Sequence, residues 1–202
     1  MAAFDHIAVS AMTLDEGAAA VGAVLGVALE PGGKHPRMGT HNCLLGLGPS
    51  EYLEVIAIDP EAAAPHHPRW FRLDSFAGAP KLTNWIARSN DLEAALAAAP
   101  SGAGRPVSLE RGELRWRMGV PDDGCLPFDD AFPALIEWQG ANHPAQRLPD
   151  RGCRLVRLEI AHPEDGMLRR ALPVTDPRVV IVKGATALRA TILTPGGERL
   201  LE

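Results

Sequence analysis

One order of elements, strand, helix and then three strands, runs through residues 4–58 and starts again at residue 81. This recurrence constrains the fold more than any other feature of the chain. Residues 4–11 (FDHIAVSA) alternate and are β-prone, so they read as a strand. Residues 13–25 read as a helix, with Thr13 as N-cap, Glu16 three residues on to complete a capping box, and Gly26 as the stop. A short strand at 27–29 leads into the loop PGGKHPRMG. Residues 41–47 and 52–58 then form a hairpin around Gly48-Pro49. After a Pro- and Ala-rich stretch the order repeats. Residues 81–88 (KLTNWIAR) are a strand, Asp91 caps the helix DLEAALAAA, and Pro100 and Gly102 end it. Residues 107–110 and 114–120 pair across Arg111-Gly112, and residues 133–139 are the last strand, reached through the loop PDDGCLPFDDAF. A shorter copy follows: strand 154–161, a brief helix at 167–172, then strands 178–182 and 187–194. The matching strand segments HIAV at 6, NWIA at 84 and EIAH at 159 lie 78 and 75 residues apart. Units of this length complete one another's sheets rather than stack as solenoid turns. The expected organisation is a first βαβββ module over 1–60, a connector over 61–80, a second module over 81–145 and a truncated βαββ copy over 153–202.

Side chains alternate across a strand, so each strand presents two readable faces. In every strand one face suits packing under a helix. The other face collects His6, Glu54, Asn84, Glu137, Arg88, Arg115 and Arg117. Unpaired burial costs several kcal/mol per ion, so a sheet that turns such groups inward must pair them, hydrate them or give them a ligand. The pattern predicts a polar cavity inside a curved sheet, with helices on the outer face.

Charge and cysteine usage narrow the functions. The net charge is −5 with acids and bases interspersed, which argues against nucleic acid and against a polybasic membrane anchor. No apolar run approaches the roughly 20 residues of a membrane span. Asp5 and His6 interrupt the first apolar run, so no signal peptide is expected. Cys43, Cys125 and Cys153 are odd in number and far apart, which points to reduced thiols in a cytoplasmic protein. No GxSxG, P-loop, GxGxxG or HExxH motif occurs in a suitable context.

Several short motifs occur in a telling order: DHI at 5–7, HPRMGTHN at 35–42, YLEVIAIDP at 52–60, LPF at 126–128, IEW at 136–138, HP at 143–144 and EIAHP at 159–163. Together they resemble the glyoxalase-like branch of the vicinal oxygen chelate superfamily. The resemblance covers nearly the whole chain. It implies an α+β fold of paired βαβββ modules forming a half-barrel around a central cavity, often with a divalent metal. Members isomerise, cleave or oxygenate small molecules, and some only sequester a drug, as in bleomycin resistance. Metal ligands in such families sit on the first and fourth strand of each module, which here are His6 and Glu54, then Asn84 and Glu137. Asn84 is a neutral amide and binds metal poorly. The implied set is therefore His6, Glu54 and Glu137, suited to Zn, Mn, Fe, Ni or Mg.

Two functions follow as expectations. The first is a metal-assisted lyase or isomerase acting on a small, oxygen-rich, anionic substrate. Glu54, Glu137 and His41 are its catalytic candidates, and Arg115, Arg117, Arg88, Asn42 and Asn84 its substrate-binding ones. The alternative is a metal-free protein that binds or sequesters a small molecule, with the carboxylates serving as countercharges. His66-His67 are assigned to solvent, and Trp70 and Phe71 to core packing, with a lid over the pocket as their alternative. Two modules in one chain suit a monomer with internal pseudo-symmetry, a homodimer being the other option.

Overall fold

The computed structural model describes residues 2–202. The first module is β1 (Ala3–Ser10), α1 (Leu14–Leu25), β2 (Glu30–His35), β3 (Thr40–Gly48) and β4 (Glu51–Ile58). The second is β5 (Lys81–Arg88), α2 (Leu92–Ala98), β6 (Arg105–Arg111), β7 (Leu114–Val120) and β8 (Ala134–Gln139). Their caps are those the sequence calls for. Thr13 Oγ1 accepts from Glu16 N at 3.2 Å, and Gly26 closes α1 in the left-handed region at φ 70°. Asp91 caps α2 by accepting from Ala94 N at 2.9 Å. β2 is the main local departure. It falls on residues 30–35, within the segment expected to be loop, because its two glycines lie against β3 and beside Arg111.

The eight strands form one mixed sheet in the order β2-β3-β4-β1-β5-β8-β7-β6. Each module contributes four neighbouring strands in the same internal order, and β1 meets β5 antiparallel at the seam. The expected α+β half-barrel of paired modules is what forms.

The remaining chain gives β9 (Arg154–His162), α3 (Asp165–Ala171), β10 (Val179–Lys183), β11 (Ala187–Thr194) and β12 (Gly197–Leu201). This unit, expected as a truncated βαββ copy, carries a further strand and pairs differently. Its own four-stranded sheet runs β10-β9-β11-β12. In the modules the first strand lies beside the fourth, whereas here β9 lies between β10 and β11.

Two apolar clusters separate the faces of the large sheet. On the convex side Ile7, Val9, Leu53, Val55, Trp85 and Leu135 pack with Val21 and Leu25 of α1, Leu92 of α2, and Leu158, Ile160, Leu188 and Ile192 of the second sheet. The outer face is thus covered by helices and by the C-terminal sheet together. Trp85 is fully buried there and donates its indole N–H to Ala131 O at 2.9 Å, so its polar atom is matched. On the concave side Ala8, Ile56, Ile86, Trp116, Met118 and Ile136 pack with Trp70 and Phe71. These last two lie in a one-turn 3-10 helix (Trp70–Arg72) that enters from the connector. Among the described residues no helix is long and apolar enough to cross a membrane.

Candidate functional site

The centre of the concave face is built by an irregularity in β1. Its register against β5 shifts between Phe4 and His6, leaving Asp5 as an extra residue. A bulge of this kind puts two residues opposite one and re-aims side chains. Asp5 and His6, which strict alternation would send to opposite faces, therefore reach one another. Asp5 Oδ1 accepts from His6 Nδ1 at 2.6 Å. Asp5 Oδ2 accepts from Trp138 Nε1 at 3.1 Å and lies 3.2 Å from His143 Nε2 and 3.4 Å from Arg88 Nη1. His6 Nε2 faces Glu54 Oε2 at 3.6 Å, and the Tyr52 ring stacks on His6 with centroids 4.2 Å apart.

Glu54 continues the network outward. Asn42 Nδ2 donates to Glu54 Oε1, while Asn42 Oδ1 accepts from Gly33 N at 2.9 Å and from Arg111 Nη1 at 2.7 Å. Arg111 also lies 3.4 Å from His35 Nε2, and the other nitrogen of that ring is 3.0 Å from Thr40 Oγ1. Glycine is required where these groups cross β2. A Cβ on Gly32 would stand 2.0 Å from Asn42 Oδ1, and one on Gly33 would stand 2.7 Å from Arg111 Cδ. The pair in the PGGKH segment makes room for both side chains.

The charges are set by competing terms. Burial alone would raise the Glu54 carboxyl, but His6, His35 and Asn42 outweigh it and hold it at about 2. Burial opposes charge on His6 too, and is overcome by Asp5 and Glu54, which raise its pKa. Burial would likewise raise Asp5, yet His143 and His6 pull it well below the usual carboxylate range. His35 has no such support. Burial pulls it down to about 4, with Arg111 adding to the effect, so it is neutral at pH 7. Burial, with the Asp5 and Glu54 charges, pushes the Tyr52 phenol up.

Above this network stands a mainly apolar wall of Trp70, Phe71, Trp116, Met118, Ile136 and Trp138. The hollow is narrow, with a volume of about 30 Å³, so a guest larger than water must displace part of this wall. One donor in its lining lacks a partner and another lacks a countercharge. Trp70 is 5% exposed and its indole N–H finds no acceptor among the described residues. The Arg111 guanidinium meets only Asn42 and His35 and has no carboxylate partner among them.

The structure brings together only part of the residue set expected from sequence. His6, Glu54 and Asn42 line the cavity. Asn84 is buried and lines an adjoining chamber, with neither amide atom hydrogen-bonded. Arg88 lies at the rim, bonded to Phe4 O at 2.8 Å and Ser50 O at 2.9 Å as well as near Asp5. Glu137, Arg115 and Arg117 are on the opposite, helix-bearing face and do not line the cavity. Ile136 and Trp138 take the inward positions of β8, and Trp116 and Met118 those of β7. Glu137 instead accepts from Leu92 N, at the start of α2, at 2.8 Å and from Arg117 Nη2 at 2.7 Å. Arg117 also grips Glu93, and Arg115 pairs with Glu110 at 3.1 Å. The start of α2 lies over that side of the sheet, and its first unsatisfied N–H groups attract the carboxylate. His41 alternates with Asn42 on β3, pairs with Ala57, and is absent from the cavity lining. Among the described residues no three His, Cys, Asp or Glu side chains are grouped to hold a metal ion.

Sequence reasoning gave Asp5, Tyr52, His143 and Arg111 no role in the site, and by turning Arg115, Arg117 and Glu137 inward it left the cavity-lining Trp116 and Trp138 to the helix side. Arg111 lies beside the β6–β7 turn, and only the closeness of β2 to β6 brings it to Asn42.

The family model described as glyoxalase-like domain matches residues 4–174. Among solved structures, a hypothetical protein from Staphylococcus aureus superposes with a TM-score of 0.63 at 16% identity, covering 93% of this chain and 88% of that one. Methylmalonyl-CoA epimerase from Mycobacterium tuberculosis gives a TM-score of 0.44 at 19% identity, over 69% of this chain and 89% of that one. A methylmalonyl-CoA epimerase in complex with methylmalonyl-CoA and NH4+ gives 0.44 at 16% identity, over 74% and 99%. No curated protein matches the chain.

Proposed function

The chain belongs to the glyoxalase-like domain family, and from that premise we propose that its concave cavity binds a small organic anion. The observation that carries this reading is Arg111, a guanidinium on the cavity lining with no carboxylate partner among the described residues. The local charges agree. Three cations (His6, Arg88 and Arg111) stand against two carboxylates (Asp5 and Glu54), which leaves room for one negative charge. Arg suits a carboxylate through paired N–H donors. The unpartnered Trp70 N–H adds a donor, and the aromatic wall takes an apolar body.

A divalent ion held by three protein ligands does not fit this donor set. His6 and Glu54 are the only strong donors from the expected positions, they are paired with each other, and Glu137 is spent at α2.

Titration calorimetry tests the anion preference with phenylacetate, phenylacetamide and phenethylamine, which share a ring and differ in charge. Phenylacetate is expected to bind at least about tenfold tighter than the other two, a gap of about 1.4 kcal/mol. Arg111→Gln should erase that gap. Tightest binding by phenethylamine would mean that Glu54 and the aromatic wall serve a cation. Binding of none of the three would end the ligand-cavity reading.

The Asp5–His6–Glu54 row favours a second reading, in which the bound anion exchanges a proton as in a lyase or isomerase. In that scheme His6 donates to the oxo oxygen as the acid, and Glu54 takes the carbon-bound proton as a base that is weak because its carboxyl is held at about 2. Deuterium from solvent should then enter a bound 2-oxo acid faster with the wild type than with His6→Gln; equal rates would dismiss it.

A further inference from the structure

Asn84 is 1% exposed, and neither its amide oxygen nor its amide nitrogen has a hydrogen-bond partner among the described residues. A buried polar group in that state is rare and calls for a reason. It lines a chamber with about 160 Å³ of room, together with Phe71, Thr83, Asp130 and Leu188. Phe71 also lines the anion cavity, so one side chain borders both spaces.

The strand register shows what the division hides. Ala8 pairs with Glu54 on one side and with Asn84 on the other. Glu54, Ala8 and Asn84 therefore form one row across three strands, with their outer members about 10 Å apart at the usual strand spacing. Within the sheet, Ala8 is the residue that separates them. Phe71 belongs to the same buried apolar cluster as Ala8. It is held there under backbone tension, since Phe71 (φ 57°) and Arg72 (φ 52°) are non-glycine residues in the left-handed region. The loop facing them is in the same condition at Phe128, Asp129 and Asp130. Arg72 ties the two segments together through Asp130 and through its N–H to Gly124 O at 3.1 Å.

We propose that Asn84 is the hydrogen-bonding anchor of a second ligand subsite, closed by Phe71, that takes a neutral group carrying both a donor and an acceptor. A primary carboxamide is the simplest such group. It offers an N–H to Asn84 Oδ1 and a carbonyl to Asn84 Nδ2, which answers both orphaned atoms at once. When Phe71 swings away, the two chambers become one space in which a ligand reaches Asn84 at one end and the Glu54 network at the other. This rests on reading the concave hollow as a ligand site, but not on its preference for anions.

Benzamide and toluene are the probes, being alike in the ring and different in the amide. In Phe71→Ala the probe's ring takes the place of the deleted one, so benzamide should bind at least about tenfold tighter than toluene by titration calorimetry or tryptophan fluorescence. The preference should vanish in Phe71→Ala/Asn84→Leu. Wild type should bind benzamide more weakly than Phe71→Ala, because the ring has to leave first. Asn84→Leu alone should leave the thermal midpoint unchanged or raised, as it removes an unpaired buried amide. Equal binding of the two probes, a preference that survives Asn84→Leu, a wild type that never binds benzamide, or a lowered midpoint in Asn84→Leu would each overturn the proposal. The last would show that the amide already has a partner in the free protein. Phe71→Leu replaces Phe71→Ala if the larger truncation does not fold. Phenylacetate binding through Arg111 is read separately in the same variants, so failure of this subsite and failure of the anion reading give different results.

Discussion

Asp5→Ala is expected to lower the unfolding free energy by about 3–5 kcal/mol, measured by urea denaturation at pH 7. Asp5 is fully buried and gathers the His6 ring, the Trp138 N–H, His143 and Arg88 around two carboxylate oxygens. Truncation leaves a buried imidazolium without its closest countercharge and an indole N–H without an acceptor. Those are the losses that make broken buried networks expensive. Asp5→Asn keeps acceptor capacity but not the charge and should fall between. Arg115→Ala removes a surface pair on the opposite face and should stay within about 0.5 kcal/mol of wild type. A loss below about 1 kcal/mol for Asp5→Ala would show that the hub does not hold the site together.

Stability is expected to peak near pH 6.5 and to fall on both sides, for different reasons. Glu54 and Asp5 have folded pKa values below their unfolded ones, so their contribution is complete above the ordinary carboxylate range and is lost as pH drops through the folded values. His6 is shifted the other way. Its contribution is full below 6.5 and drains away as pH rises through its raised folded pKa. His35 works against folding on the acid side. Its folded pKa is about 4 against an ordinary 6.5, so between those values the unfolded chain takes up a proton that the folded chain refuses. That difference is worth roughly 3 kcal/mol over the interval. Unfolding free energies at intervals from pH 4 to 9 check this. His35→Gln should flatten the limb between 4 and 6.5 and leave the alkaline limb in place. An unchanged acid limb would mean that His35 is not the group responsible.

The two modules were readable because each carries its own local instructions. Thr13 and Asp91 start helices, Gly26 stops one, and strands of mixed alternation follow at the same spacing. Half of the site was readable for a related reason. Once a strand's inward face is known, period two delivers His6, Glu54 and Asn42. Alternation cannot say which face is inward, however. Gathering charged residues on one side gave the right answer for β4 and the wrong one for β7 and β8. There the charges serve α2 outside, and tryptophans fill the hollow. The Asp5 bulge was invisible because it depends on the register of β1 against β5, a property of two strands and not of one. Arg111 was missed for a similar reason, since its role exists only where β2 and β6 come together.

Joining both βαβββ modules in one polypeptide has a consequence for how a guest must sit. Two identical halves meeting on a dyad would offer a visitor two equivalent orientations. Here the strand that supplies His6 in one half supplies Asn84 in the other, and the place of Glu54, opposite Ala8, is taken by a methyl side chain, Ala134, opposite Ile86. Duplication within a single chain has let one half keep its charges and the other turn oily, so a molecule entering the seam meets a vessel with a definite front and back.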